Sequence, residues 1–313
     1  MKQKRIRRLG LLLLMLLLTA GCGAAASDSH ASRTEETQSA EQSQIETITI
    51  ENTEDYVLQE EYPAEETEAE MGEGPEEAVR SEAVRIALID TGIAKSAVNS
   101  EHVLPGWNYC SENEDTEDTI GHGTSLAGMI LGSEPANLPG GAPEAYIVPL
   151  VCQKTDAEGN LIKSPPELLA RMIRDAVSVY GCRIISISAG VKQDYKVLRE
   201  AVEYADEAGA LIVASAGNEG NADIYYPGGY ESVLCVGSSN AELTGRSDFS
   251  QDNETVDLLA PGEDILVTTM KGNAMKVSGT SYSAAYITAK AAALWQKNPE
   301  KTAREITALL MEQ

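Results

Sequence analysis

The sequence predicts an α/β domain: a mostly parallel β-sheet flanked by helices on both faces, in three layers. Three observations predict it. From residue 83 onward, short apolar runs alternate with amphipathic stretches. The runs are rich in Ile, Val and Leu, without the strict apolar–polar alternation of a half-exposed strand. The polar, glycine-flanked residues fall at the ends of the runs. Strands that are apolar on both sides must be covered on both sides, and right-handed crossovers through helices supply that cover.

The first strand covers residues 84–89 and ends at Asp90; Tyr146–Val151 and residues 184–188, 211–214 and 233–237 follow as strands. Residues 121–131 open on Gly121-His122-Gly123-Thr124 and predict a short helix. Pro165 and Pro166 open another, with Leu169, Met172, Ile173 and Ala176 on one face and Gly181 as its stop. A third carries Leu198, Ala201, Val202 and Ala205 on its apolar side and ends at Gly209. Residues 281–296 are apolar nearly all round, which predicts a buried helix. Thr302 with Glu305 forms the pattern of a capping box for a last helix running through Met311.

Charge divides the 313-residue chain into three regions. Residues 1–22 hold five basic side chains and no acidic ones, and an apolar run over 9–18 follows the basic cap, as in an export signal. Leu18-Thr19-Ala20-Gly21-Cys22 resembles a lipoprotein lipobox, which implies lipidation of Cys22 and anchoring on the outer face of a bacterial cytoplasmic membrane; ordinary secretion and an uncleaved anchor through residues 9–26 are the alternatives. Residues 23–82 hold 18 acids and 2 bases with few apolar side chains, the composition of a disordered acidic tether. Residues 83–313 form the one folded domain.

Composition also excludes classes. A net charge of −25 opposes a phosphate backbone, so no nucleic-acid partner is expected. His30, His102 and His122 are scattered, with no zinc-binding spacing. Aromatics are only 5% of residues, so Ala, Val, Ile and Leu must fill the core. Cys152, Cys182 and Cys235 lie in or beside apolar runs and read as unpaired core thiols, while Cys110 is left open and an even count of four in an exported chain also permits disulfides.

In a parallel sheet, reactive groups gather beyond the carboxyl ends of the strands. Asp90-Thr91-Gly92, His122 between two glycines, Ala216-Gly217-Asn218 and Gly279-Thr280-Ser281 all fall at such positions. A hydroxyl nucleophile needs a base, and the base needs a carboxylate to fix its tautomer. Asp90, His122 and Ser281 supply these parts. Ser281 at a helix N-terminus gains backbone N–H groups for an oxyanion, and Asn218 offers a second donor. No metal or other cofactor is required for this chemistry.

On these stretches, together with Tyr226-Pro227 and Leu259-Ala260-Pro261-Gly262, the chain resembles the subtilisin-like serine proteases, or subtilases, across residues 84–313. The order Asp, His, Ser is that of subtilisin. The resemblance implies a serine endopeptidase with Asp90, His122 and Ser281 as triad and Asn218 as oxyanion donor. It implies that Ser188, Ala189 and Gly190 pair with the substrate backbone. Ala214, Ser215, Ala216 and Gly217 would wall the pocket for the residue before the scissile bond, and Tyr225 would lie at its floor. Substrates would be peptides or proteins, and the enzyme a monomer. An inactive binding or scaffolding lipoprotein on the same fold is the alternative. The acidic loop 112–118 is read as a solvated loop, as a structural calcium site of the sort found in the family, or as a charge that with Glu219 attracts basic substrate residues. The chain departs from the family at Ser125, where a second His is usual, and over Tyr282, Ser283, Ala284, Ala285 and Tyr286 after the nucleophile.

Overall fold

The computed structural model describes residues 83–155, 161–162 and 164–312, with a backbone pairing of Arg7–Arg8 beside Leu258 and Leu259. The export signal, Cys22 and the acidic tether are expectations that otherwise lie outside the described residues. Seven parallel strands form the sheet of the domain: β1 (Arg85–Asp90), β2 (Trp107–Asn108), β3 (Tyr146–Val151), β4 (Ile184–Ile187), β5 (Leu211–Ser215), β6 (Leu234–Ser239) and β7 (Leu258–Pro261). Their spatial order is β2-β3-β1-β4-β5-β6-β7, with Arg7–Arg8 outside β7. A separate antiparallel hairpin, β8 (Ile265–Thr268) with β9 (Ala274–Val277), precedes the longest helix.

Alternate residues of the same strands enter two different cores, the period of two that a pleated strand imposes. Ile86, Leu88, Ile147, Ile184, Val213 and Val236 pack on one face against α1 (His122–Leu131), α4 (Thr280–Lys297) and α5 (Ala303–Met311). Ala87, Ile89, Val148, Leu150, Ile185 and Ile212 pack on the other against α2 (Pro166–Ser178) and α3 (Lys196–Glu207). The expected three layers are thus present, and the strands are mainly apolar on both sides because both faces of the sheet are covered.

Helix ends obey the signals in the sequence. Gly209, at φ +81°, ends α3 with a paired motif in which Ala210 N donates to Ala205 O and Gly209 N to Asp206 O. Thr302 caps α5 reciprocally: its hydroxyl accepts from Glu305 N at 3.3 Å, while Glu305 Oε2 accepts from Thr302 N at 2.9 Å. Helix α4 is buried along most of its length, from Thr280 through Trp295. It is therefore the central helix of its layer, and α1 packs alongside it. The first turns of both helices come to the carboxyl edge of the sheet. No helix among the described residues is long and apolar enough to cross a membrane.

Candidate active site

Asp90 is the last residue of β1 and His122 the first of α1. Both are 2% exposed. Asp90 Oδ1 accepts hydrogen bonds from Thr91 N at 2.8 Å and from His122 Nδ1 at 2.7 Å. A carboxylate only accepts, so the imidazole carries its proton on Nδ1 and leaves the Nε2 lone pair available. The close approach of α1 to β1 needs glycine on the helix: a Cβ on Gly123 would lie 2.3 Å from Gly92 O. Gly123 N then donates to Thr91 Oγ1 at 2.9 Å, which locks the helix start to the strand end.

Burial pulls the His122 proton affinity down, but the charge and hydrogen bond of Asp90 outweigh it, and Asp118 adds to them; the net result is a pKa above 6.5. Asp118 was grouped in the sequence with the acidic loop. The structure separates it from its neighbours: Glu112, Glu114, Asp115 and Glu117 are exposed, while Asp118 is buried. Its Oδ1 accepts from Ile120 N at 2.9 Å and Gly121 N at 2.8 Å. Its Oδ2 accepts from Thr124 N at 2.9 Å and Thr124 Oγ1 at 2.6 Å. The residue at the usual capping position, Gly121, has no side chain to do this. Sequence reasoning missed Asp118 because it lies three places before that position. Both its oxygens are committed to the helix, and among the described residues no three His, Cys, Asp or Glu side chains converge as ion ligands.

Ser281 is the second residue of α4 and 6% exposed. Its neighbour Tyr282 packs its ring 5.7 Å from the His122 ring at an angle of 54°, so the Ser281 turn and the imidazole share one wall. Asn218 follows β5. Its Oδ1 accepts from Thr280 N and Thr280 Oγ1, both at 2.9 Å. A backbone N–H is only a donor, so this contact fixes which end of the amide is oxygen and leaves Nδ2 free of that duty. Thr280 Oγ1 in turn accepts from Gly217 N at 3.2 Å. Asn218 thereby caps the helix that carries Ser281, a role the sequence reading did not assign. The β7 end reaches the same turn through Gly262, where a Cβ would lie 2.0 Å from Ser283 Oγ.

One small chamber joins these groups. Ser188, Gly190, Ser215, Gly217 and Tyr225 line it, and it opens on Asn218 and Ser281. Ala189, Ala214 and Ala216 are buried in the adjoining cores. The segment after β4 is held by an antiparallel bridge between Val191 and Tyr226. Ser125, where the family usually has His, hydrogen-bonds through its hydroxyl to Gly121 O at 3.0 Å and Thr268 O at 2.8 Å, tying α1 to β8. No disulfide links the four described cysteines; Cys152, Cys182 and Cys235 are buried and Cys110 is half-buried.

Residues 81–313 match the model of the subtilase family. The chain is 33% identical over 242 residues to the major intracellular serine protease of Bacillus subtilis (strain 168), covering 73% of each. It is 32% identical over 221 residues to the minor extracellular protease Epr of the same organism, covering 70% of this chain and 33% of that one. Among solved structures, the S41 psychrophilic protease matches with a TM-score of 0.66 at 25% identity, over 74% of this chain and 83% of that one. A cold-adapted subtilisin-like serine proteinase matches with a TM-score of 0.63 at 26% identity, over 73% and 81%.

Proposed function

The chain belongs to the subtilase family and is a serine-type endopeptidase, and from that premise we propose that Asp90, His122 and Ser281 are its catalytic triad, acting at the outer face of a membrane. The observation that carries the triad is the buried 2.7 Å contact between His122 Nδ1 and Asp90 Oδ1. It leaves a basic nitrogen beside the helix turn that bears a hydroxyl.

In this reading Ser281 Oγ attacks the peptide carbonyl carbon while its proton passes to His122 Nε2. The carbonyl oxygen becomes an oxyanion, met by Asn218 Nδ2 and by backbone N–H at the start of α4. His122 returns the proton to the departing amine nitrogen as the C–N bond breaks. Water then adds to the acyl-enzyme through the same base, and the carboxylic acid leaves. Asp90 holds the tautomer and stabilises the imidazolium without taking its proton. Ser188, Ala189 and Gly190 on one side, and Ala214, Ser215, Ala216 and Gly217 on the other, receive the substrate as an added strand, so peptides and proteins bind through main-chain hydrogen bonds. All the reacting groups come from one chain, so the monomer is the active unit.

Relatives named intracellular and extracellular both occur, so location is argued from this chain's own N-terminus. The basic cap, the apolar run over 9–18 and Cys22 imply export and a lipid anchor, with residues 23–82 as the spacer. Fluorophosphonate labelling tests the nucleophile: the full chain should label, and Ser281→Ala should not. Label retained in that variant refutes the triad. Metabolic incorporation of a fatty acid, abolished by Cys22→Ser, is the result expected for the anchor.

A further inference from the structure

Resting on the catalytic reading above, we propose that Tyr225 plugs the pocket for the side chain preceding the scissile bond and restricts this protease to glycine, alanine and serine there. The ring spans the gap between the two walls of the chamber. A Cβ placed on Gly217 would lie 2.9 Å from Tyr225 Cδ2 and 3.1 Å from Cε2. One placed on Gly190 would lie 3.3 Å from Tyr225 Cβ and 3.7 Å from Cδ1. Opposite edges of one ring therefore meet opposite walls. At both contacts the wall residue is glycine, so no side chain there can retract to make room.

What remains of the chamber is a cavity of about 20 Å³. That is the scale of one water molecule, against the ~150 Å³ of an apolar cavity that takes up benzene. A methyl or hydroxymethyl group is the largest side chain that enters without moving the tyrosine. The tyrosine is held against moving. Its carbonyl accepts from Gly229 N at 2.8 Å, and the next residue exchanges two backbone hydrogen bonds with Val191, at 2.8 and 2.9 Å. Tyr225 is 5% exposed. Its phenol oxygen is buried, and over the ring Lys192 Nζ lies 5.5 Å from the centroid and pairs with Asp223 at 2.9 Å. Burial, joined by Glu219 and opposed by Lys192, pushes the phenol up to about 12, so it stays neutral at working pH. A basic side chain would have to displace the ring before reaching Glu219.

The test is a set of internally quenched peptides differing only at the residue before the cleaved bond, cut by the full chain. We expect kcat/KM to be ~100-fold higher for alanine than for phenylalanine, leucine or lysine, since exclusion of several methylenes is at stake. Tyr225→Gly should raise the phenylalanine-to-alanine ratio at least ~10-fold; being a ratio, it is indifferent to a general loss of activity. Wild-type cleavage after phenylalanine or lysine at rates near that for alanine would overturn the proposal. So would an unchanged ratio in a Tyr225→Gly protein that still labels with fluorophosphonate. The wild-type profile decides the matter if that variant fails to fold. Failure of the catalytic reading is distinguishable, because the alanine peptide and the fluorophosphonate would then both go unreacted, and both claims would fall.

Discussion

Asp118→Ala tests whether one buried carboxylate holds the start of α1 and, with it, His122. The substitution removes the acceptor for Ile120 N, Gly121 N, Thr124 N and Thr124 Oγ1. A lost helix cap costs about 0.5–2 kcal/mol, and each buried donor left unpaired about 1–3 kcal/mol. Ile120 is only half-buried, so water can replace one bond, whereas Gly121 and Thr124 are enclosed. The three enclosed donors alone sum to at least about 3 kcal/mol, which for a domain of this size lowers Tm by on the order of 10 °C. Thermal unfolding in a Ser281→Ala background measures it without self-digestion. Asp118→Asn separates charge from packing, because it keeps one acceptor and nearly the same shape. The proton affinity of His122 is raised by Asp90 and Asp118 against the opposing pull of burial, and catalysis needs the neutral imidazole. The acid limb of kcat/KM therefore lies above pH 6.5 in the wild type and moves to lower pH in both variants. The stability sign is opposite: what protonated His122 contributes to folding is present in full below about pH 6.5 and lost as pH rises through its higher folded value. An Asp118→Ala protein that melts within about 2 °C of its parent, with an unmoved acid limb, would refute the account.

Three other outcomes are expected. Asn218→Ala should lower kcat by about 10²–10³-fold through loss of an oxyanion donor, and should also lower Tm because Thr280 N loses its cap; a Tm loss without a kcat loss would assign Asn218 to structure alone. Gly123→Ala drives a methyl group to 2.3 Å from Gly92 O, so unfolding experiments should show a loss of at least ~1–3 kcal/mol, as for overpacking. Burial pushes the Cys152 thiol well above its ordinary value and Cys182 up to about 12, the latter opposed only by Arg85. Iodoacetamide at pH 8 should therefore alkylate these two only after denaturation, as mass spectrometry of the native and unfolded protein would show.

The strands that carry the core were legible because their apolar runs have few polar interruptions, Ser186 being one, and the helices because Gly181, Gly209 and Thr302 mark their limits. Other elements left weaker traces. Strand β7 contains Pro261 and adjoins Gly262, both of which read as breakers, although it pairs with β6 as part of the sheet. The β8–β9 hairpin mixes exposed and buried positions without a clean period, and β2 is too short to have one. The candidate site was legible to the extent that it lies at strand and helix ends. Asp90, His122, Asn218 and Ser281 were visible as residue types in an order. Asp118 and Thr280 were not, since their roles are to satisfy backbone donors at helix starts, and that need exists only once the helices have been placed.

Two departures from the family pattern, Ser125 and Tyr282, and the ring of Tyr225 converge on a single physical consequence. Ser125 replaces an imidazole with a hydroxyl that bonds two carbonyls and ties α1 to β8. Tyr282 sets a buried ring 5.7 Å from the His122 ring at a tilt of 54°, and both residues are buried. Tyr225 wedges between two glycines across the chamber from Ser281. None of the three takes away a group that the proposed cycle uses, and two of them add ring volume beside it. Removing water around the Asp90–His122 pair strengthens the interaction between them, because charges in a dry site are poorly screened. It also disfavours the imidazolium, and the second carboxylate, Asp118, acts in the opposite direction. The site therefore gains dryness and loses pocket volume together, the combination expected of an enzyme that recognises the extended backbone of its substrate more than the side chain beside the cleaved bond.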